Sequence, residues 1–388
     1  MEEKVIHTGQ EELCKHVLDA CLCTGCGACV DLCPYFRSYR GKTAALFPCV
    51  TDEGRCFAYC PKIGVDLDEL SYRFFGKPYD GDPIGACGSI IAAKAGDRIK
   101  DLSPQAGGTV SALIYFALEK GYLDGAILTD RKGLLPVPRF VTDAGDVLDC
   151  ATAKYTAAPT LSAVNQAIRK GYKNIGVVGT PCQVLATALM RSNPLRADNF
   201  VDPFGLVVGI FCTWAIDFRL FEPFLAERID DPGRIRKIDI PPPPVEIMEV
   251  FVDSGTRIEI PLHEIRELVP KGCSYCIDMT AEFSDLSVGV MEGRPDMNTL
   301  IVRTDRGRAL VEEAQKEGYL TISEMPQENL KHLAWAAGNK KKRGLTKAQD
   351  EGMVNRETDT VKSYLRMSAE LLERLTAKDM GDRHVQSG

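Results

Sequence analysis

Apolar positions change their spacing along the chain, and each change predicts a different kind of structure. From about Ala86 the pattern alternates between two periods. Thr109 to Gly121 carries apolar residues at helical spacing and closes on glycine, and Gly125 to Thr129 is a short apolar strand. The alternation continues with a helix over Thr160 to Lys170, a strand over Asn174 to Gly179, and a helix over Pro181 to Met190. A strand over Leu206 to Cys212 and a helix over Phe218 to Arg228 follow. Strands alternating with helices predict an α/β layer with a parallel or mixed sheet. After Pro241 to Pro244 the period becomes two. Val245 to Val252, a turn at Asp253-Ser254-Gly255, and Thr256 to Leu262 predict a hairpin with Ile258, Ile260 and Leu262 on one face.

The two ends follow neither pattern. Residues 21 to 61 are dense in cysteine and punctuated by proline and glycine, which predicts a small domain held by inorganic clusters in place of an apolar core. Residues 336 to 388 are charged and poor in aromatics, but Val361, Leu365, Ala369, Leu372 and Leu375 keep helical spacing. They predict one amphipathic helix packed on its own chain. The expected fold class is therefore α/β with α+β elements. Residues 1–85 form a ferredoxin-like iron–sulfur domain and linker, 86–335 an α/β body, and 336–388 a charged helical tail.

Composition narrows the function classes. The 388 residues are 45% hydrophobic and 26% charged, and the net charge of −7 gives no broad basic field for nucleic acid. Lys340-Lys341-Lys342-Arg343 is the basic run that stands out, and a run of this kind reads as a solvated loop. Met1 to Gln10 lacks the apolar stretch of a signal peptide, and the longest apolar run, Phe204 to Trp214, is too short to span a bilayer. A cytoplasmic location is expected. Fifteen cysteines in a reducing compartment suit metal ligation better than disulfides.

Eleven of them fall into two sets. Cys23, Cys26, Cys29 and Cys33-Pro34 reproduce the C-x2-C-x2-C-x3-C-P run of bacterial ferredoxins, in which the fourth cysteine crosses to the other cluster. Cys60-Pro61 then completes a [4Fe-4S] cube with Cys23, Cys26 and Cys29. A zinc site does not call for this many cysteines in this order. The second run is irregular, leaving Cys33, Cys49 and Cys56 as ligands. The fourth iron is held by Asp52 or Cys21, or is absent, giving a 3Fe-4S cluster. The other set lies far apart in sequence: Cys182 where a strand turns into a helix behind Pro181, Cys212 at the end of the next strand, and the pair Cys273-x2-Cys276. A helix N-terminus favours a thiolate, and the carboxyl edge of an α/β sheet is where ligands bind. The spacing alone leaves zinc, a dithiol or a cluster open for these four. Cys14, Cys21, Cys87 and Cys150 read as small buried hydrophobes, Cys21 being the exception to watch.

Residues 20 to 320 resemble the β-subunit family of coenzyme F420-reducing hydrogenases and formate dehydrogenases. The resemblance is carried by Gln105-Ala-Gly-Gly-Thr-Val-Ser-Ala112, Gly121-Tyr-Leu-Asp-Gly-Ala-Ile127, Ala153-Lys-Tyr-Thr156, Val178-Gly-Thr-Pro-Cys-Gln183, Gly209-Ile-Phe-Cys212, Cys273-x2-Cys276 and Asp285-Leu-Ser-Val-Gly289. It implies a flavin-binding body with FAD, a cluster on Cys182, Cys212, Cys273 and Cys276, and coenzyme F420 as substrate. The implied partner is a catalytic formate dehydrogenase or hydrogenase subunit, with further electron-transfer subunits. It implies cofactor contacts at Gly107, Gly108, Thr109, Ser111, Lys154, Tyr155, Thr180, Pro181 and Gln183, with Lys154 as the catalytic residue. Physically, Gly107-Gly108-Thr109 opens a helix whose amides can approach a phosphate or flavin edge, and a lysine near a flavin ring stabilises negative charge as hydride arrives. Asp285 and Asn298 rank below Lys154, since both can be turn residues. Two other readings compete: an iron–sulfur adaptor with no substrate of its own, and a flavin oxidoreductase using ferredoxin, NAD(P) or a disulfide. No G-x-G-x-x-G fingerprint supports the nicotinamide.

Overall fold

The alternating segments of the body build one eight-stranded sheet. The chain is described here from a computed structural model, which covers residues 8–99, 102, 104–241, 245–355 and 363–377. Across the sheet the strands run Leu320–Glu324, Ser89–Ala95, Asn298–Val302, Leu286–Val290, Phe204–Ile210, Ile175–Gly179, Gly125–Lys132 and Leu135–Val141. The four strands that begin at Leu286, Phe204, Ile175 and Gly125 are mutually parallel, and the rest pair antiparallel, so the sheet is mixed. The period of two sorts side chains onto two faces. Ala126, Leu128, Leu206 and Val208 join a core with the helices Thr109–Glu119 and Asp305–Lys316, whereas Ile127 and Val207 face the helices Leu161–Arg169 and Pro181–Arg191.

The predicted hairpin forms from Ile247–Val252 and Arg257–Pro261, and the strand Ile235–Asp239 adds a third member. Leu262 does not close the strand. It opens a short helix, Leu262–Arg266, and is buried with Ile260 and Met248.

The ends depart furthest from expectation. The cysteine-rich segment has an apolar core after all, because Leu13, Val17, Leu22, Phe36, Phe57, Ile63 and Val65 join the cluster of Leu161, Val164 and Val184 from the body. The C-terminal segment belongs to the same core through Leu345, Leu365, Leu371, Leu372 and Leu375. Residue 336 falls inside a 24-residue helix, Gln327–Asp350, and the basic run lies on it. Lys340 and Lys341 are 4% and 1% exposed, which overturns the solvated-loop reading of those two residues. Helical spacing explains this: Ala337, Lys341, Gly344, Leu345 and Ala348 line one buried face. The amphipathic helix runs only over Ala369–Thr376, capped by the Ser368 hydroxyl, which accepts from Leu371 N at 3.2 Å. Leu365 lies instead in a two-residue strand beside Val65, and Val361 is outside the described residues.

Candidate functional site

Cys23, Cys26 and Cys29 lie on a loop that reverses at Gly25 and Gly27, with φ of 70° and 87°. A Cβ on Gly27 would stand 2.5 Å from Pro159 O, and one on Gly25 would collide with Gly41 O, so the loop packs directly against the body. Asn165 holds it there, donating to Ala28 O at 3.0 Å and Val30 O at 2.7 Å, while Leu161 N donates to Cys26 O at 3.1 Å. Cys60 arrives from the turn after the helix Arg55–Ala58. Burial, then the charges of Cys26 and Cys23, raise the Cys60 thiol, and burial, Cys23 and Cys60 raise Cys29. Each of Cys26, Cys29 and Cys60 thus feels the charge of other members of the set, Cys23 among them.

Cys33, Cys49 and Cys56 form a second group nearer the surface. Burial pushes the Cys56 thiol up to about 11, with Cys33 and Cys49 adding to it. Gln10 fixes the Cys49 loop, donating to Phe47 O at 2.7 Å and accepting from Cys49 N at 2.5 Å. The Thr51 hydroxyl, 3.1 Å from Cys49 Sγ, holds that exposed thiol below its usual range. Of the proposed fourth ligands, Asp52 is exposed, and Cys21 is exposed, within 3.9 Å of Asp19 O and beside Arg219. Neither is among the main charges acting on Cys56. Cys87 is exposed too, contrary to the expectation of a small buried residue, because it sits in the loop before the first body strand.

The third group assembles from distant parts of the chain. Thr180 caps the helix Pro181–Arg191 through a capping box with Gln183, placing Pro181 at the first position and Cys182 at the second. Cys212 follows the neighbouring parallel strand, two residues beyond its end at Ile210, and donates its amide to Met279 O at 2.9 Å. The short helical turn Lys271–Tyr275 presents Cys273, with Cys276 immediately after it. Burial raises the Cys212 thiol strongly; Lys340 opposes this, and Cys273, Cys182 and Cys276 add to it. Among the described residues, no three His, Cys, Asp or Glu side chains close on a single metal ion. The donor sets are all thiol, the chemistry that iron–sulfur clusters require, and they fit such clusters.

The groups adjoin one another. Of the charged neighbours of Cys26, Cys182 acts most strongly, and Cys56 acts on Cys29, so the Cys23 group neighbours both of the others. Two cations are buried beside the body group. Lys62 lies 4.3 Å from the centroid of the Tyr364 ring; burial disfavours its charge, but Tyr364, Cys276, Cys273 and Cys182 outweigh that and raise its pKa. Lys340 Nζ donates to Cys212 O at 2.5 Å and Asp278 O at 2.7 Å.

The loop Ala153–Thr160 joins these groups to the Gly107 turn. Gly108, with φ of 77°, opens the helix Thr109–Glu119; Thr109 N donates to Asn298 Oδ1 at 3.2 Å, and a Cβ on Gly107 would come within 2.8 Å of that oxygen. The Thr109 hydroxyl is buried with no hydrogen-bond partner among the described residues, and Ser111 is half-buried one turn on. Gln105 spans the gap to the loop. It donates to Tyr155 OH at 3.0 Å and Asp239 Oδ1 at 2.6 Å and accepts from Ala153 N at 3.0 Å. Lys154 Nζ donates to Cys150 O at 2.6 Å, and burial brings its pKa down to about 8. An unpartnered buried hydroxyl at a helix start and a half-buried lysine supply the polar groups that a flavin with its phosphates requires. Gln183, by contrast, spends its amide on Ala158 O and Thr160 Oγ1, both at 2.9 Å, and so shapes the loop from behind. Asp285 is a structural acceptor, bonded to Val207 N and Thr304 Oγ1 at 2.8 Å.

In the sequence Gln105 appears only within a motif and Lys340 only within a basic run read as a solvated loop, and no motif there points to Asp239 or Lys62. Lys62 follows Cys60-Pro61 directly, a position that could have drawn attention to it.

Comparison with known proteins places the chain in a family. Residues 90–165 and 172–328 match the N-terminal and C-terminal models of the coenzyme F420 hydrogenase/dehydrogenase beta subunit. The beta subunit of coenzyme F420 hydrogenase from Methanococcus voltae is 31% identical over 246 residues, covering 61% of this chain and 85% of the relative. A coenzyme F420-dependent sulfite reductase from Methanocaldococcus jannaschii is 29% identical over 319 residues, 78% of this chain but 47% of that longer protein. A chain of the F420-reducing [NiFe] hydrogenase complex from Methanosarcina barkeri shares the fold with a TM-score of 0.64 and 22% identity, covering 73% of this chain and 97% of that one. The motifs, the fold and the matched length agree: this chain belongs to the coenzyme F420 hydrogenase/dehydrogenase beta-subunit family.

Proposed function

We propose that the chain is the FAD- and iron–sulfur-containing subunit of a larger redox complex, exchanging hydride with coenzyme F420 and single electrons with a formate dehydrogenase or hydrogenase subunit. The observation that carries this reading is the set of three adjoining all-thiol groups, packed against the loop that carries Lys154 through Pro159 and Gly27 and reaching towards the surface at Cys49. A deazaflavin moves two electrons as hydride and a cluster moves one, and FAD, when bound, supplies the conversion between them.

The chain's own residues do the positioning. The Thr109 hydroxyl, buried and without a partner among the described residues at the start of its helix, is the donor this chain offers to a phosphate. Gln105, Tyr155 and Asp239 fix the loop that carries Lys154. The Lys154 ammonium, close to neutral pH in its proton affinity, places positive charge where a reduced flavin ring gains negative charge. Cys182, Cys212, Cys273 and Cys276 would hold the cluster next to that loop, Cys23, Cys26, Cys29 and Cys60 the middle one, and Cys33, Cys49 and Cys56 the outer one. Relatives whose names include hydrogenase and sulfite reductase support F420 as the shared partner molecule.

The test is anaerobic purification, flavin release by heat, and identification by chromatography, with reduction assayed in parallel using F420, NAD(P)H and ferredoxin. About one FAD per chain and a preference for F420 are expected. FAD near zero in freshly prepared complex defeats the reading in favour of an adaptor, and a preference for NAD(P)H or ferredoxin moves it to another flavin enzyme.

A further inference from the structure

Burying an ammonium group is costly unless a negative partner offsets it, and two lysines flank the body cysteines with no carboxylate in ion-pair contact with either nitrogen among the described residues, Asp278 being the carboxylate that acts on Lys340. Lys62 is 3% exposed, and its Nζ meets no hydrogen-bond acceptor among the described residues, resting on the face of Tyr364. Its neighbours are Cys182, Cys273 and Cys276 on one side and Cys60, two residues away, on the other. Lys340 is 4% exposed, and among the described residues its Nζ bonds two backbone carbonyls, those of Cys212 and Asp278. It sits on the helix Gln327–Asp350, which begins where the family model ends at residue 328 and runs on past it. The C-terminal segment is therefore tied over the cluster region, and it delivers a cation there.

We propose that Lys62 and Lys340 are potential-setting residues: buried counter-charges that raise the reduction potential of the cluster on Cys182, Cys212, Cys273 and Cys276, with Lys62 shared with the Cys23 cluster. The inference rests on the cluster assignment above. A cluster gains one negative charge when it accepts an electron, so a fixed cation nearby stabilises the reduced form, and more strongly in a dry interior than in water. Lys340 faces only the body group, whereas Lys62 stands between the two. They are positioned to make the body cluster a ready acceptor from the flavin side.

The test is a redox titration followed by EPR on the full-length anaerobic protein, with signals assigned by Cys212→Ser and Cys26→Ser and iron counted for every variant. Lys340→Gln keeps hydrogen-bonding capacity and removes the charge. It is expected to shift the body cluster's reduction equilibrium at least tenfold toward the oxidised form, about 59 mV for one electron, and to leave the Cys23 cluster in place. Lys62→Met shifts both signals in the same direction. Lys340→Arg, which keeps the charge, stays near wild type. Unchanged potentials in Lys340→Gln, or equal shifts in the Gln and Arg variants, overturn the inference while leaving the clusters standing. If Cys212→Ser loses no iron, the cluster assignment itself fails, and the inference falls with it.

Discussion

Among single residues, Glu282 shows how the buried charges of this protein are balanced. Its Oε1 lies 2.7 Å from Lys341 Nζ, and its Oε2 is buried with no hydrogen-bond partner among the described residues. Burial pushes the carboxyl up from 4.5 to about 7; Lys341 opposes the shift, and Asp278 adds to it. Because the folded pKa lies above the unfolded one, the folded state holds the proton over this window, and stability falls as pH rises from about 4.5 to about 7. Thermal unfolding of wild type and Glu282→Gln across that range checks this. The difference in stability between the two proteins is expected to drop by on the order of 3 kcal/mol with rising pH, whatever its starting value. A constant difference contradicts the assignment. The cysteines were legible at this scale because their spacing is itself the chemistry. Lys340 and Lys341 were not, because four consecutive basic letters hide which of them a helix turns inward.

Among elements, the helix Gln327–Asp350 has the largest structural consequence. It reaches the body through close backbone approach: a Cβ on Gly344 would lie 2.6 Å from Cys276 O. A glycine in mid-helix disfavours helix formation, and here it is what allows the helix to seat against the cysteine turn. Gly344→Val is expected to lower stability by about 1–3 kcal/mol and to speed loss of iron to a chelator, since the turn that presents Cys273 and Cys276 must shift. An unchanged rate of iron loss means the helix does not support the site. Sequence periodicity located three of the eight strands of the body sheet and the four helices around them to within a few residues, because each is amphipathic or wholly apolar, and it left Ser89–Ala95, Leu135–Val141, Leu286–Val290, Asn298–Val302 and Leu320–Glu324 unread. It failed where pairing is remote. Leu365 shares the spacing of Leu372 and Leu375, yet it pairs with Val65, three hundred residues earlier in the chain. Ser368 and its cap are the local reason the helix cannot begin sooner.

For the whole molecule, the three thiol groups adjoin one another although their residues are scattered from Cys23 to Cys276. The ferredoxin-like run could be placed from sequence. That its loop is bolted to the body by Asn165, and that Cys26 adjoins Cys182, could not, since both depend on how the segments dock. This docking makes the order of electron flow testable. The most direct measurement is EPR of the anaerobic protein after reduction with F420H2, comparing wild type with Cys212→Ser. The account predicts that wild type shows reduced signals from the Cys23 cluster, and that the variant binds FAD and bleaches it while those signals fail to appear on the same timescale. If the Cys23 cluster is reduced equally fast in Cys212→Ser, electrons do not pass through the body group, and the adjoining groups are not the path.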